Sequence, residues 1–332
     1  MVELGLVVEG ETLVSGERGR PAELLYVRHD AARLIGVNLT STSASAVLID
    51  LAAHILEQRT RPLPSRRVED VVAVVAEMRE ELSTPGREPS AIGVSLAGDV
   101  TSRAGAAWVD DSAFLGWDSV PLADLVRDAT GLPVTLINDV RGLAEAHHWF
   151  DKSPSREPAL VYGVGAGIGS GFMIGDAPVQ GASGRAGRIP HLPVGEGGRP
   201  CVRGHTTCVH SFVTIPAIEY VAGARSGDYR MVLERAGEGD QSALNAFRMA
   251  ARALGMTVSQ AISTLDPGVV SVMGEGLHML DFAPEEFEAG LGEYLDDDRY
   301  SSIPIERPQF SFALYARGAA IAAMREMLSP SW

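Results

Sequence analysis

Apolar residues along the chain form short runs that are typical of buried strands and longer stretches that have helical spacing. The short runs predict strands at 34–38, 44–51, 91–96, 134–137, 159–164 and 269–273. The helical spacing predicts helices over 68–82, 121–130, 140–150, 241–265 and 315–328. The order strand, turn, strand, followed by alternating helix and strand, occurs in both halves of the chain. This repeated order predicts an α/β protein of two similar halves.

Three features of this pattern are specific. Asp240 precedes the apolar stripe of the 241–265 helix and has a side chain that can cap it. Gly131 is expected to end the 121–130 helix. Strands over 159–164 and 171–174 are expected to flank a glycine-rich turn containing Gly165, Gly167 and Gly169.

The first 27 residues follow a different pattern. Apolar runs at 4–8 and 12–14 surround Glu9-Gly10-Glu11, which predicts a β-hairpin. Residues 15–21 have the composition of a flexible basic linker and include Arg18 and Arg20. Because a two-stranded hairpin is not stable alone, we expect residues 1–27 to be the remainder of a larger element.

Composition and charge narrow the class of protein. The 332 residues carry a net charge of −15, are 45% hydrophobic and include two cysteines. An acidic body is repelled by nucleic acid and by anionic membranes. Two cysteines exclude a disulfide scaffold and favour a cytoplasmic protein. Glu3, Glu9 and Glu11 interrupt any secretory signal, and the longest uncharged stretch, 159–175, is too short and glycine-rich to span a membrane.

Several segments, taken in order, resemble the ROK family of repressors, open reading frames and kinases. They are 35–42, 131–134 with Asn138-Asp139, 165–171, Gly187-Arg188-Ile189-Pro190-His191, 201–208, and 266–267 with 274–276. The resemblance implies a two-lobed actin/hexokinase-like (ribonuclease H-like) α/β fold with a sugar cleft between the lobes. Some members of the family are sugar kinases, and others are repressors with an N-terminal winged helix.

The resemblance also implies boundaries. It places an N-terminal lobe over 32–138, a C-terminal lobe over 139–314 with a zinc loop at 191–210, and a closing helix over 315–332. Residues 1–27 resemble the wing hairpin and linker of the repressors, whose upstream helices are absent from the sequence. We therefore expect only weak DNA binding, through Arg18 and Arg20, unless an upstream helix-turn-helix exists. The family commonly dimerises, so a homodimer is expected.

The glycine-rich turns that hold nucleotide phosphates in the family's kinases are altered. The family's Asp-x-Gly-Gly-Thr is Asn38-Leu39-Thr40-Ser41-Thr42 here, so a carboxylate has become an amide and both glycines have gained side chains. The second turn keeps its glycines but has Ala166 in place of a threonine, and the third keeps Gly274 but has Glu275 where glycine is usual. A carboxylate repels a polyphosphate. ATP and Mg²⁺ are therefore not expected to bind productively.

The sugar positions are partly kept. Asp139 matches the general base of the family's kinases, and Asn138 and Gly98 match sugar-binding positions, although Asn-Asp before a helix is also ordinary N-cap chemistry. Two usual glutamates are Arg188 and His210, while His191 remains. Because Arg188 can pair with a carboxylate or phosphate, the expected effector is a sugar or a modified, anionic sugar derivative.

The family's structural zinc is held by one histidine and three cysteines. His191, Cys201 and Cys208 match three of these positions, and Arg203 replaces the middle cysteine. His205 or His210 could supply the fourth ligand of a tetrahedral site. A pair of free thiols and a local disulfide are the alternatives.

Three functions fit these observations. The first is a ROK-type transcriptional regulator, most simply a repressor of carbohydrate-related genes, whose body binds a sugar and has a degenerate ATP site. The second is an active ATP-dependent sugar kinase that uses Asp139. The third is a pseudokinase that binds a protein partner and no DNA.

Overall fold

The computed structural model describes residues 5–13, 22–86, 88–103, 106–150, 157–175, 177–295 and 302–329. The chain forms two compact units, one of Met1–Gly142 with Phe312–Trp332 and the other of Leu143–Ser311. Each unit contains a five-stranded mixed sheet. The mixed α/β fold class predicted from the sequence is confirmed. Within the described residues, no helix has both the length and the apolar character needed to cross a bilayer.

Among the described residues, the first unit contains ten strands, a 3-10 helix, three complete helices and the start of a fourth. The strands are β1 (Val7–Leu13), β2 (Ala22–Val27), β3 (Arg33–Leu39), β4 (Ser43–Asp50), β5 (Ile55–Pro62), β6 (Ala91–Leu96), β7 (Asp99–Arg103), β8 (Ala106–Ser112), β9 (Trp117–Val120) and β10 (Val134–Asn138). The helices are the 3-10 helix His29–Ala31, α1 (Val68–Glu81), α2 (Leu122–Thr130) and α3 (Asp139–Phe150). The last element of the chain, which we name the closing helix (Ala313–Leu328), also belongs to this unit.

The main sheet of the first unit has the order β10-β6-β3-β4-β5. Strands β10, β6 and β3 are parallel, whereas β4 and β5 continue the sheet in antiparallel pairing. Alternate residues of β3 enter different layers, as the period of a strand requires. Ile35, Val37 and Leu39 lie in one buried cluster with residues of α1. Gly36 faces the closing helix, where an added Cβ would be 1.8 Å from the carbonyl oxygen of Ala316.

Small residues bring the closing helix close to its neighbours. At Gly93 of β6, an added Cβ would be 1.8 Å from the carbonyl oxygen of Ala319. At Gly318 it would be 1.7 Å from the carbonyl oxygen of Gly142, in the first turn of α3. These positions have no space for any side chain, so the alanine- and glycine-rich composition of the helix sets its distance from the sheet.

The second unit contains the remaining strands and helices. The strands are β11 (Ala159–Val164), β12 (Ile168–Ile174), β13 (Ala177–Pro178), β14 (Val269–Met273) and β15 (Ile305–Glu306). The helices are α4 (His210–Val213), α5 (Ile215–Val221), α6 (Tyr229–Gly237), α7 (Gln241–Leu265), α8 (Met279–Phe282) and α9 (Pro284–Leu291). The sheet order is β13-β12-β11-β14-β15. Helix α7 supplies the largest share of the apolar core against β11 and β14, including Phe247, Leu254 and Val258.

Local signals predicted two helix ends correctly. The Asp240 side chain accepts a hydrogen bond from the amide of Ala243 at 2.9 Å, which confirms the N-cap of α7. Gly131 follows α2 with φ +70°, and its amide donates to the carbonyl of Arg127. This is the left-handed C-cap for which glycine is favoured.

Two strand predictions were wrong. Glu9-Gly10-Glu11 is not a hairpin turn, because it lies inside β1, whose pairing with β2 shifts register between Glu9 and Thr12. The strand that pairs with β1 is instead β2, and the linker predicted at 15–21 lies outside the described residues. Strand β12 begins at Ile168 rather than at 171, so Gly169 pairs with Gly163 in the ladder. The glycine-rich turn is therefore only three residues long, from Gly165 to Gly167.

Candidate functional site

The turn at 40–43, which corresponds to the first glycine-rich turn of the kinases, is held by hydrogen bonds to its own side chains. Thr40 Oγ1 accepts hydrogen bonds from the amides of Thr42 and Ser43 at 3.3 and 3.0 Å. The Thr40 and Ser43 hydroxyls also lie 2.9 Å apart. Backbone N–H groups of such a turn are what would bind a phosphate. Here the two amides already have an internal acceptor.

Asn38 lies at the end of β3, at the position of the kinases' metal-handling carboxylate. It is 4% exposed, and its Nδ2 donates to Ser95 Oγ at 3.1 Å. The Ser95 hydroxyl in turn donates to the carbonyl of Tyr315 at 3.1 Å. The amide is therefore part of the packing between β3, β6 and the closing helix. A buried neutral donor suits this place, whereas an aspartate would bury a charge.

The second and third turns meet at Gly165 and Glu275 in the second unit. A Cβ at Gly165 would be 2.1 Å from Glu275 Oε1, so the carboxylate occupies the space above this glycine. Gly274 has φ +125°, and a Cβ there would be 2.1 Å from the carbonyl oxygen of Val164. Glycine is therefore required at 274 for the two turns to approach each other.

The Glu275 carboxylate is poorly solvated. Among the described residues, its Oε2 is buried without a hydrogen-bond partner. Burial raises the pKa of Glu275, and hydrogen bonds from the backbone amides of Glu275 and Ala166 oppose this rise only partly. An amide of the glycine-rich turn thus already binds an anion that belongs to the protein.

The proposed sugar contacts of the first unit lie at the start of α3. Asn138 Oδ1 accepts from the amides of Val140 and Arg141 at 3.1 and 3.2 Å, and Asn138 Nδ2 donates to the carbonyl of Gly98 at 3.1 Å. Asp139 Oδ1 accepts from the amide of Val140 at 2.8 Å. Asn138 therefore has the N-cap role, whereas Asp139 is the first residue of α3. Asn138 also joins α3 to the loop at Gly98, so these three residues lie together.

Two cysteines and two histidines form a compact cluster in the second unit. The ligand atoms of His191, Cys201, His205 and Cys208 all lie within 4.8 Å of one another. His191 Nδ1 is 3.7 Å from Cys201 Sγ and 3.8 Å from Cys208 Sγ. Both thiols are free, which excludes the local disulfide. His205 completes the cluster; His210 does not belong to it.

The loop places these ligands through its backbone. The amide of Cys201 donates to the carbonyl of His205 at 2.8 Å, and the amide of Gly204, which has φ +80°, donates to the carbonyl of Cys201 at 2.8 Å. The amide of Arg203 points at Cys201 Sγ, 3.4 Å away. Burial alone would raise the pKa of Cys201, but the backbone amides of Arg203, His205 and Cys201 and the side chain of Cys208 lower it overall. A thiolate is the form that binds metal.

The ring of His191 is prepared as a neutral ligand. Burial lowers its pKa, and the positive charges of Arg203, His205 and Arg188 lower it further. His210 also has a pKa lowered by burial and by His191, and its Nδ1 is buried without a hydrogen-bond partner among the described residues. The rings of His191 and His210 are stacked with centroids 6.4 Å apart. His191, His210 and Arg188 therefore share one region of the second unit.

The donor set fits a tetrahedral zinc ion. Zn–S and Zn–N bonds of about 2.3 and 2.0–2.1 Å give ligand-to-ligand edges of about 3.3–3.8 Å. The two sulfur-to-nitrogen distances, 3.7 and 3.8 Å, are slightly longer than the sulfur-to-nitrogen edge of about 3.5–3.6 Å that these bonds give. Arg203, which replaces the family's middle cysteine, supplies no ligand atom to this cluster. The DNA-contact candidates Arg18 and Arg20 lie outside the described residues.

Comparison with known proteins identifies the family. The chain is 25% identical to the N-acetylglucosamine repressor of Escherichia coli O157:H7 over 83% of its own length and 71% of the relative's. The ROK hexokinase of Thermus thermophilus is 25% identical and superimposes with a TM-score of 0.74, covering 89% of this chain and 99% of the hexokinase. A ROK family transcriptional regulator, homologous to the E. coli MLC protein, shares 21% identity and a TM-score of 0.80 over 97% of this chain and 85% of its own. The ROK family itself matches residues 34–326, and the chain therefore belongs to the ROK family.

Proposed function

We propose that this chain is the effector-binding body of a ROK-type transcriptional regulator of carbohydrate-related genes, with an ATP site that no longer works. The observation that carries the proposal is the internal closure of both phosphate-binding turns. In the first turn, Thr40 Oγ1 accepts hydrogen bonds from the backbone amides of Thr42 and Ser43. In the second turn, the Glu275 carboxylate covers Gly165. A nucleotide would have to displace one hydroxyl and overcome one carboxylate charge.

The remaining polar groups support a sugar or sugar derivative as the effector. In the first unit these are Asn138 and Asp139, and in the second unit His191, His210 and Arg188. Carboxylate, amide and imidazole groups are the side chains that hold sugar hydroxyls, and the arginine favours an anionic substituent. The repressor relative is named for N-acetylglucosamine, which is consistent with a sugar ligand of this kind.

Zinc would be held by His191, Cys201, His205 and Cys208 and would have a structural role. The bound ion would fix the 191–208 loop and with it the position of the His191 ring, because four ligands close the coordination sphere. The proposal also includes a homodimer, and DNA binding through Arg18 and Arg20 that is weak unless an upstream helix-turn-helix exists. The third alternative, a pseudokinase without DNA binding, shares the closed turns.

A sugar kinase is the competing function. It is favoured by the likeness to the Thermus hexokinase and by Asp139 at the start of α3, where a carboxylate could take the proton of a sugar hydroxyl. The kinase requires bound Mg-ATP, and the two closed turns oppose this binding.

One experiment separates the functions. Isothermal titration with Mg-ATP, with and without a panel of neutral sugars, sugar phosphates and sugar acids, is combined with a coupled assay for ADP. We expect a sugar derivative to bind while ATP neither binds nor turns over. Micromolar Mg-ATP binding with sugar-dependent turnover would refute the regulator.

A second experiment separates the regulator from the pseudokinase. Deleting the gene in its host should change transcription of a carbohydrate-utilisation operon, and unchanged transcription would favour the pseudokinase.

A further inference from the structure

Three side chains of the first unit that no sequence motif connects meet beside the β4–β5 turn. The ligand atoms of His29, Asp50 and His54 lie within 4.8 Å of one another. His54 Nδ1 is 3.1 Å from Asp50 Oδ2, and the rings of His29 and His54 are in edge contact with centroids 5.8 Å apart. We propose that these residues bind a divalent transition-metal ion of the zinc class, at a site distinct from the cysteine cluster.

The backbone brings the three residues together from two segments. His29 is the first residue of the 3-10 helix between β2 and β3. Its carbonyl accepts a hydrogen bond from the amide of Leu51 at 3.0 Å. Asp50 and His54 close the tight turn between β4 and β5, where the amide of Asp50 donates to the carbonyl of His54 at 3.2 Å. Arg317 fixes the same turn, because its Nε donates to the carbonyl of Ala53 at 2.7 Å. The ligand positions are therefore set by hydrogen-bonded backbone.

The Asp50 carboxylate is oriented as a metal ligand is. Its side chain is only 11% exposed, and Oδ1 accepts from the amides of Ala52 and His54 at 2.9 and 2.8 Å. These bonds hold the carboxylate and leave Oδ2 directed towards the histidines. Ligating carboxylates are commonly fixed by such outer hydrogen bonds. An ion pair between Asp50 and His54 would use two of the residues but gives no reason for His29 to lie within ligand distance of both.

The donor set selects the class of metal. Two imidazoles and one carboxylate suit zinc, copper, nickel or ferrous iron, whereas calcium and magnesium prefer all-oxygen sites. Three protein ligands leave coordination positions for water, and the 63% exposed His54 side chain makes the site accessible. The positive charge of Arg317 close to Asp50 offsets part of the attraction for a cation. We therefore expect weaker binding than at the cysteine cluster.

A bound ion would add a second link beside the hydrogen bond from the amide of Leu51 to the carbonyl of His29, which joins the two segments. His29 follows the β1–β2 hairpin directly, and Asp50 belongs to the main sheet of the unit. The metal would fix the peptide that leads from the hairpin into β3. This inference does not depend on the proposed regulatory function, because it rests on the ligand geometry alone.

Cobalt titration of the full chain tests the site, because Co²⁺ reports its ligands in its spectrum. Thiolate ligands of the cysteine cluster give an intense charge-transfer band, whereas imidazole and carboxylate ligands give only weak d–d bands. We expect the wild type to bind one equivalent of Co²⁺ that adds nothing to the thiolate band, in addition to any Co²⁺ at the cysteine cluster. A Cys201→Ser/Cys208→Ser variant should lose the thiolate band and retain this equivalent. Zn²⁺ should displace it.

Ligand variants decide the assignment. His29→Ala, His54→Ala and Asp50→Asn should each lower the affinity for this Co²⁺ by about 10–100-fold or more. Loss of an outer-shell partner alone costs about this much, and these residues are direct ligands. Asp50→Asn keeps an oxygen for the two backbone amides, so it tests the charge with the turn intact. His278→Ala, which removes an exposed histidine of the second unit, is the matched control and should bind as the wild type does. The proposal is overturned if the wild type lacks this equivalent, if His29→Ala binds normally, or if His278→Ala is equally weakened.

Discussion

The carboxylate of Glu275 covers Gly165 so closely that a methyl group at position 165 would lie 2.1 Å from Oε1. Gly165 begins the turn whose amides would contact a phosphate, and one of these amides, that of Ala166, already interacts with the carboxylate. In the family's kinases, a glycine at this position leaves room for a phosphate. In this chain the same room is occupied by the Glu275 carboxylate. The proposed loss of nucleotide binding can therefore be tested by removing this side chain.

Replacing Glu275 with glycine should restore anion binding at the turn. Glu275→Gly removes the charge and the bulk together, while Glu275→Gln removes only the charge. Removal of one unit charge a few ångströms from a phosphate should raise affinity for pyrophosphate or Mg-ATP by about tenfold or more. Titration calorimetry of the wild type and both variants measures this gain. If neither variant binds more tightly than the wild type, Glu275 is not what excludes the nucleotide.

The same residue should make stability depend on pH. Because burial raises the pKa of Glu275 in the folded chain above its ordinary value of 4.5, the folded state binds the proton more tightly than the unfolded state. The free energy of unfolding should therefore fall as pH rises through 4.5 to the raised pKa, and then stay lower. Glu275→Gln should remove this loss, so its advantage over the wild type should grow between pH 4 and pH 8 in urea unfolding.

The control for this pH effect is Glu234→Gln. Glu234 lies on α6 with a side chain that is 62% exposed. Its substitution should leave the difference between pH 4 and pH 8 as in the wild type. An equal response of the two variants would mean that the effect comes from net charge and not from burial.

Zinc binding should tolerate the exchange of one ligand for another at neighbouring positions. His205→Ala should lose stoichiometric zinc, as measured by metal analysis of protein purified without added zinc. Arg203→Cys in that background should restore it, because a thiolate returns to the position that the family normally uses. Arg203→Ala alone should keep its zinc, since Arg203 supplies no ligand and its hydrogen bond to Cys201 comes from the backbone amide. Full zinc in His205→Ala would show that His205 is not a ligand.

Removal of this zinc should destabilise the chain. A ligand that binds only the folded state at 100 times its dissociation constant contributes about 2.7 kcal/mol. Treatment with a chelator should therefore lower the thermal midpoint, and Cys208→Ser should show the lower midpoint without chelator. A chelator effect of the same size in Cys208→Ser would place the metal elsewhere.

Crowding at the closing helix gives a prediction for stability. Gly318→Ala would place a methyl group 1.7 Å from the carbonyl oxygen of Gly142, so the helix or α3 must move. We expect a loss of about 3 kcal/mol or more in urea unfolding. Gly237→Ala, at the last position of α6 with no atom within 4 Å of the new methyl group, should instead gain about 0.5–1 kcal/mol. A difference below about 0.5 kcal/mol between the two variants would contradict the packing described above.

The sequence predicted those elements whose apolar pattern is strong. Strand β14 and helix α7 were predicted at their observed bounds, because their core residues follow the spacing of the element without interruption. Strand β5, with the sequence ILEQRTRP, was missed. It is the edge strand of its sheet and most of its residues are exposed, so no apolar alternation marks it. The β7–β9 sheet was missed for a similar reason, since exposed polar residues interrupt its strands.

The candidate sites differ in the same way. His191, Cys201 and Cys208 could be proposed from the sequence because they lie in one short loop with a family spacing. The structure adds His205, and not His210, as the fourth member of the cluster. No spacing connects His29 with Asp50 and His54. Their meeting depends on the pairing of Arg33 with Asp50 across β3 and β4, which is a property of the folded sheet.

The closing helix has a consequence for how the chain folds as it is synthesised. Its residues, 313–328, leave the ribosome after every residue of the second unit, yet they cover one face of β3 and β6. During translation, the sheet that is made first keeps that face open to water while the 143–311 segment can already close around its own core. The unit that begins first therefore matures last, and its uncovered face is where a chaperone would bind the nascent chain.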